Sequence, residues 1–333
     1  MSYTVGSLFA GIGGICLGFK LAKCDVIWAN EYNSKACETY AFNFPKPKLY
    51  CDDIHNLDKP KDLGQVDIIT SGFPCQAFSV AGYRKGFKDH RGNLFFETAR
   101  FIDELKPKAF LLENVKNLNG HDNGNTIKVI EKTITEELGY SFIPFILNSK
   151  KHGNIPQTRE RIYMVGFKDE SSKNTLCSDN FNTPNEIPLK TKIRDLIDSE
   201  RQNEKFYYGK DHNYFPLLEE AMKSSETVYQ WRRHYVRENK SNVCPTLTAN
   251  MGTGGHNVPL ITDDYGIRKL TPKECSRFQG FPEDFEFPTE MANSHCYKQT
   301  GNSVVVPVIK RIAYEIVRVL DIKYNTQLEF DSF

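Results

Sequence analysis

Between residues 3 and 167 the chain alternates apolar, β-favouring runs with helical ones. That alternation limits the fold more than any other feature. The β runs are Thr4–Phe9, Asp25–Ala29, Val66–Thr70, Ala109–Leu112, Ser141–Leu147 and Arg161–Phe167. Helical stretches such as Ser34–Phe42, Leu94–Leu105 and Thr126–Leu138 lie between them. A chain of this pattern covers both faces of a parallel sheet with helices, because each strand needs a crossover before the next can pair in parallel. The expected architecture is therefore α/β, a doubly wound and mainly parallel sheet.

The pattern changes near Glu170. Residues 170–190 are rich in Asn, Ser, Thr and Pro, which marks a boundary. Residues 200–266 carry Tyr, His, Asn and Gly without a helical period, so a second, smaller, irregular and β-rich domain is expected. Further on, Val305, Val308, Ile309, Ile312, Ile316, Val319 and Leu320 recur at helical spacing, as in a helix that returns to cover the sheet. These boundaries give a large domain of residues 1–175 plus 291–333 and a smaller one of residues 176–290.

Composition narrows the class. The 333 residues hold 26% charged and 39% hydrophobic side chains, as ordinary globular domains do. The most apolar candidate for a membrane span, Val304–Leu320, is interrupted by Lys310, Arg311, Glu315 and Arg318. No secretory leader is visible at the start, and a cytoplasmic location is expected. Nine cysteines occur with no CxxC pair, which disfavours zinc and predicts no metal site. The expectation is nine free thiols, eight of them buried and structural. The 43 Lys and Arg against 42 Asp and Glu leave a net charge of +1, which taken alone argues against nucleic acid.

The first β run leads into Phe9-Ala10-Gly11-Ile12-Gly13-Gly14. Glycines there permit a tight turn and close backbone approach, and the following helix start favours an anion. The spacing is not G-x-G-x-x-G, so a nicotinamide dinucleotide fits poorly. A smaller anion, such as an amino-acid carboxylate, fits better. Glu31 follows the second β run, where doubly wound folds hold ribose hydroxyls, and Tyr32 is placed to stack on a purine. Asp53 stands at a third loop, able to accept from an exocyclic amine. The set reads as a site for an adenosine with an anionic tail, or as a capping turn with two surface acids. After the run Val66–Thr70, Pro74 stiffens a loop that presents Cys75. Glu113 follows the apolar Ala109–Leu112, where a carboxylate is costly to hold without a role.

Six blocks carry a resemblance to the cytosine-C5 DNA methyltransferase family of bacterial restriction-modification type. They are Leu8 to Gly14, Gly72-Phe73-Pro74-Cys75-Gln76, Glu113-Asn114-Val115, Gln157 to Tyr163, Arg268 to Pro282 and Gly301-Asn302-Ser303-Val304. They stand in the family's order, and residues 164–267 form a long insert where that family keeps its target-recognition region. The resemblance implies S-adenosyl-L-methionine as cofactor. Its implied contacts are Phe9, Gly11, Gly13, Gly14, Glu31, Tyr32, Asp53, Ile54, Pro74, Leu94, Asn302 and Ser303. It also implies a catalytic set of Cys75 as nucleophile, Glu113 at the base N3, and Arg161 with Arg159 at the base oxygen.

Double-stranded DNA is the implied partner, with the target cytosine flipped out to reach the thiolate. The enzyme would act as a monomer beside a separate cognate restriction endonuclease. Ser79, Arg84 and Arg91 are candidate phosphate contacts on a closing loop. Arg232, Arg233, Arg237, Lys240 and Thr246 are candidate DNA contacts in the insert. Three rivals remain open: an RNA cytosine methyltransferase, a DNA-binding module with a decayed site, and a nicotinamide oxidoreductase. The long insert, the intact Cys75, Glu113 and Arg161, and the glycine spacing argue against them in turn.

The near-zero net charge conceals local excess. Positions 82–92 set Arg84, Lys85, Lys88 and Arg91 against Asp89, and positions 229–240 set Arg232, Arg233, Arg237 and Lys240 against Glu238, each a local +3. DNA affinity should accordingly fall with salt, each phosphate contact adding about 0.9 to the slope of log K against log salt. A filter-binding titration across salt concentrations checks this, and a flat response contradicts it.

Overall fold

A computed structural model describes residues 2–74, 94–168, 177–232, 234–252 and 256–330. Cys75, Ser79, Arg84, Arg91 and Arg233, named above from sequence, lie outside the described residues. The first part of the chain runs β1 (Thr4–Leu8), α1 (Gly14–Leu21), β2 (Asp25–Glu31), α2 (Ser34–Asn43), β3 (Lys48–Cys51), β4 (Ile68–Ser71), α3 (Leu94–Leu105), β5 (Ala109–Val115), α4 (Asn125–Lys132), β6 (Ile143–Asn148), α5 (Ser149–His152) and β7 (Glu160–Phe167). These strands form one seven-stranded sheet in the order β3-β2-β1-β4-β5-β7-β6. The pairs from β3 to β5 are parallel, whereas β7 is antiparallel to both β5 and β6. The chain leaves β1 towards one edge through β2 and β3, then returns to β4 on the other side. The gap between those two directions is where a doubly wound sheet opens a crevice at its strand ends.

Local chemistry accounts for the element ends. Asn33 caps α2, its side-chain oxygen accepting from the Ala36 N–H at 3.0 Å. Three details differ from the sequence reading. The four-residue edge strand β3 was not expected, being too short to show a period beside Pro45 and Pro47. The helix expected over Thr126–Leu138 ends at Lys132 and continues as a π turn, Thr133–Glu137. Glu113 does not follow its strand but lies inside β5, which extends to Val115 because Val115 pairs with Arg161 of β7.

Past α6 (Cys177–Asn180), the remaining elements are α7 (Phe215–Ala221), β8 (Tyr229–Arg232), β9 (Tyr235–Glu238), β10 (His256–Asp263), β11 (Gly266–Lys269), α8 (Pro272–Arg277), α9 (Asn293–Asn302) and α10 (Val306–Phe330). The strands β8 to β11 make a separate antiparallel sheet in the order β11-β10-β8-β9. Together the two sheets give the α/β doubly wound body with a smaller β-rich unit. The helix α10 returns as its periodicity predicts. Val308, Ile309, Ile312, Ile316, Val319 and Leu320 are buried against Ile15, Phe19 and other residues of the main core.

Apolar packing crosses the boundaries drawn from composition. Cys177, Phe281 and Phe285 are buried in the core of the large sheet, while Tyr297 of α9 is buried with Val228, Leu247 and Phe278 beside the small one.

The cysteines also depart from expectation. Cys37 on α2 and Cys51 at the end of β3 are joined as a disulfide, with their Cα atoms 6.0 Å apart. They stand fourteen positions apart, and the folding of α2 over the β2–β3 edge brings them together. Cys51 is exposed, not buried. Cys16, Cys24, Cys244, Cys275 and Cys296 are free and buried, as structural thiols should be, and Cys177 is buried as well.

Most of the long block Arg268 to Pro282 is a buried corner. Arg268 is fully buried and donates through Nη1 and Nη2 to both oxygens of Glu274, at 2.7 and 2.8 Å, and through Nε to Asp263. Glu274 also completes a capping box with Thr271 at the start of α8. Arg268→Ala would leave two buried carboxylates without their partner, an expected loss of about 3–5 kcal/mol. Thermal or urea unfolding of the variant measures it. A loss under about 1 kcal/mol, the range of an exposed pair, would show the cluster to be incidental.

Candidate active site

The crevice at the switch point encloses about 690 Å³. Five lining segments come from the C-terminal ends of strands. Phe9 to Ile12 follow β1, Glu31 ends β2 with Tyr32 and Asn33 after it, Asp53 to His55 follow β3, Gly72 to Pro74 follow β4, and Glu113 to Val115 end β5. Arg159 and Arg161 add the start of β7, and the remaining side is α9 and the turn after it, with His295, Lys298, Gln299, Gly301, Asn302 and Ser303.

The glycine loop is shaped by backbone conformation. Gly11 and Gly13 have φ of +56° and +87°, the left-handed region that suits glycine. Glu31 locks this loop in place: its Oε2 accepts from the Gly11 N–H and its Oε1 from the Asn33 N–H, both at 2.8 Å. Phe9, Gly11, Glu31, Tyr32, Asp53, Ile54, Pro74, Leu94, Asn302 and Ser303 all line the crevice. Gly13 and Gly14 do not. A side chain at Gly13 would meet the Phe44 ring, and one at Gly14 would meet Ser303 and Val304, so both serve close packing behind the loop.

The third loop is fixed by residues that no motif announced. Asn30, buried in β2, donates to the carbonyls of Tyr50 and Asp52 at 3.0 and 2.8 Å. Arg100 of α3 reaches the carbonyls of Ile54 and Leu57 while paired with Glu97. In sequence, Arg100 shows only as a helix ion pair at i,i+3. The His55 N–H holds the Asp53 carboxyl below its ordinary range.

At the inner end, the buried Glu113 forms an ion pair with the half-buried Arg161, Nε to Oε1 at 3.1 Å. Burial pushes the Glu113 carboxyl above its ordinary value, and the guanidinium groups of Arg161 and Arg159 pull it only part of the way back. The neighbouring Asn114, quoted in a motif but given no role from sequence, donates to the Phe73 carbonyl at 2.8 Å. This bond ties β5 to the segment that leads through Pro74 to Cys75.

Arg159 lines the crevice beside Arg161 and has a structural part that the sequence did not show. It is buried, with Nη1 donating to the Leu247 carbonyl at 2.9 Å and Nη2 to the carbonyls of Gly301 and Ser303. Of its nitrogens, only Nε finds no hydrogen-bond partner among the described residues. Burial and the like charge of Arg161 bring its pKa down to about 9. Gln157 acts beside it, donating to the Phe278 carbonyl and accepting from the Leu247 N–H. Backbone contact is as tight at Gly301, where a Cβ would lie 2.3 Å from the Thr248 carbonyl carbon.

The small sheet carries the other predicted contacts. Arg232 is half-buried and held by Gln230 and Asn257, at 3.3 and 2.9 Å. Arg237 on the edge strand β9 and Lys240 just after it are exposed. Thr246 does not stand free: its hydroxyl donates to the Thr158 carbonyl at 3.1 Å, next to Arg159. Among the described residues, no cluster of three His, Cys, Asp or Glu could hold a metal, and no helix is long and apolar enough to cross a membrane.

A doubly wound sheet closed by an antiparallel β7–β6 pair, a crevice at its switch point and an added β sheet define an α/β methyltransferase with a second domain. The family model for the C-5 cytosine-specific DNA methylase matches residues 3–318, and the chain belongs to that family. It is 57% identical to the type II methyltransferase M.Bsp6I of Bacillus sp. (strain RFL6) over 319 residues, covering 94% of this chain and 98% of the relative. It is 38% identical to the type II methyltransferase M.HhaI of Haemophilus parahaemolyticus over 330 residues, covering 95% and 94%. Among solved structures, the S. pombe Dnmt2 methyltransferase aligns at a TM-score of 0.72 and 22% identity, over 97% of this chain and 99% of the other, a likeness of fold. The activity is that of a DNA cytosine-5-methyltransferase.

Proposed function

We propose that this enzyme transfers a methyl group from S-adenosyl-L-methionine to C5 of a cytosine flipped out of a specific duplex DNA sequence, through a covalent bond between Cys75 and C6. The observation that carries this reading is the Glu113–Arg161 pair, set beside a Pro74 loop that Asn114 holds against β5. The crevice suits the cofactor: Glu31 offers a carboxylate to ribose hydroxyls, Asp53 and Ile54 face the adenine end, and Asn302 and Ser303 face the opposite wall. When bound, S-adenosylmethionine supplies an electrophilic methyl group.

Each side chain then has a chemical task. Cytosine C5 is a weak nucleophile, and addition of the Cys75 thiolate at C6 makes the ring enamine-like. Glu113, held towards its protonated form by burial, donates to the base N3 while the adduct forms. Arg161 orients Glu113 and faces the base oxygen; the free Nε of Arg159 is the second donor there. Once C5 carries the methyl group, water takes the C5 proton, the C5–C6 double bond re-forms, and the S–C6 bond breaks to release Cys75 as the thiolate. Arg232, Arg233, Arg237 and Lys240 contact DNA from the small domain, with Ser79, Arg84 and Arg91 on the loop after Cys75. We assign residues 1–175 and 291–333 to the large domain and 176–290 to the small, target-recognising one, with Cys177, Phe281 and Phe285 packing back into the large core and Tyr297 into the small one. The enzyme works as a cytoplasmic monomer, with a separate restriction endonuclease as its biological counterpart.

Cys75→Ser should abolish methyl transfer while DNA and cofactor binding persist, checked by bisulfite sequencing of host DNA after expression and by binding titrations. Turnover in that variant would remove Cys75 as nucleophile, and modified tRNA without modified DNA would move the substrate to RNA.

Glu113→Gln should slow transfer by roughly 10²–10⁴-fold, the range for losing a positioned acid, with cofactor affinity nearly unchanged. The protonated carboxyl is the active form, so wild-type kcat should fall as pH rises through its elevated pKa, and the Gln variant should lack that limb. Loss of cofactor binding instead would put Glu113 in the wrong site.

A further inference from the structure

We infer that Cys37 and Cys51 form a thiol–disulfide exchange site, modified by small-molecule disulfides, that sets the affinity of the cofactor crevice. The inference rests on the reading of that crevice as the S-adenosylmethionine site. The pair lies directly behind the ribose and adenine ends. Cys51 ends β3 in register with Glu31 of β2, and the carbonyls on either side of it, Tyr50 and Asp52, are the two that Asn30 holds. Asp53 and Ile54 of the crevice follow at once. Cys37 stands one residue beyond Ala36, which lines the crevice, and its sulfur lies 3.4 Å from the Glu31 carbonyl. The bond therefore couples α2, β2 and β3 at the positions that aim Glu31, Asn33 and Asp53 into the cleft.

The two sulfurs differ in access, which gives the exchange an order. Cys51 is exposed and Cys37 is 5% exposed. The Cys51 thiolate attacks oxidised glutathione and releases one glutathione thiolate, leaving a mixed disulfide. The Cys37 thiolate then attacks the Cys51 sulfur and releases the second. Two protein thiols and one glutathione disulfide become one protein disulfide and two glutathione thiols, with the two thiol protons passing to glutathione. The joined state already holds Glu31 on the Gly11 and Asn33 N–H groups, so it binds cofactor without further ordering. The reduced state must order that edge first.

The test measures S-adenosylmethionine binding by calorimetry in glutathione buffers of set ratio. A Cys75→Ser background keeps the nucleophile out of the exchange, and mass spectrometry follows the Cys37–Cys51 link. The oxidised protein should bind at least about fivefold more tightly than the reduced one, the lower end of ordinary coupling between sites. Saturating cofactor should shift the glutathione ratio of half-oxidation by the same factor, because coupling is reciprocal. Cys51→Ser, at an exposed position that threatens folding little, should remove both responses, and Cys37→Ala should do the same. Failure of the two thiols to link, or linkage with equal affinity in both states, overturns the inference and leaves the cofactor reading intact. Absence of cofactor binding in either state overturns both.

Discussion

The join between the two sheets is built around one buried cation. Arg159 leaves β7's approach and donates to Leu247 in the small unit and to Gly301 and Ser303 in the turn before α10. Three segments far apart in sequence thereby share one guanidinium. A buried charge is held at a cost, and here it is offset by charge-assisted bonds to carbonyls and by Glu113 nearby. Lysine could not replace it, having no planar fork to reach three carbonyls in different directions. Gln157 repeats the connection with neutral bonds to Leu247 and Phe278.

That join fixes the cleft, and the cleft sets the chemistry. Its outer end is lined by carboxylates with backbone partners, Glu31 on Gly11 and Asn33, Asp53 on His55. Its inner end holds a carboxyl that burial raises, beside two guanidinium groups. The acids at the two ends are thus tuned in opposite senses: Asp53 stays ionised to accept hydrogen bonds, while Glu113 is kept near its proton. One polypeptide wall, β5, delivers both Glu113 and the Asn114 bond that steadies the approach to Cys75.

Much of this was legible in the chain. The strand-ending motifs lie along the crevice because a doubly wound sheet sends all its parallel strand ends to one edge, so Phe9, Glu31, Asp53, Pro74 and Glu113 had to meet. The returning helix was legible from its period. The small strand β3 was not, since four residues show no alternation. Nor was the ladder that carries Glu113 into β5: it pairs Glu113 with Tyr163, fifty positions away, a separation sequence spacing does not reveal. The structural duty of Arg159 was hidden for the same reason. A guanidinium in a motif does not show that it also spans three carbonyls.

The sequence by itself determined the family, the doubly wound class, the order of the strand-end motifs and the residue types that the chemistry requires. Those are local properties of period, turn residues and functional groups. Only tertiary structure decided that Arg159 holds the scaffold together, that burial raises Glu113, that Gly13 and Gly14 pack behind the loop, and that Cys37 meets Cys51. Each of these depends on distances across the sheet and on exclusion of water, and neither is written in the spacing along the chain.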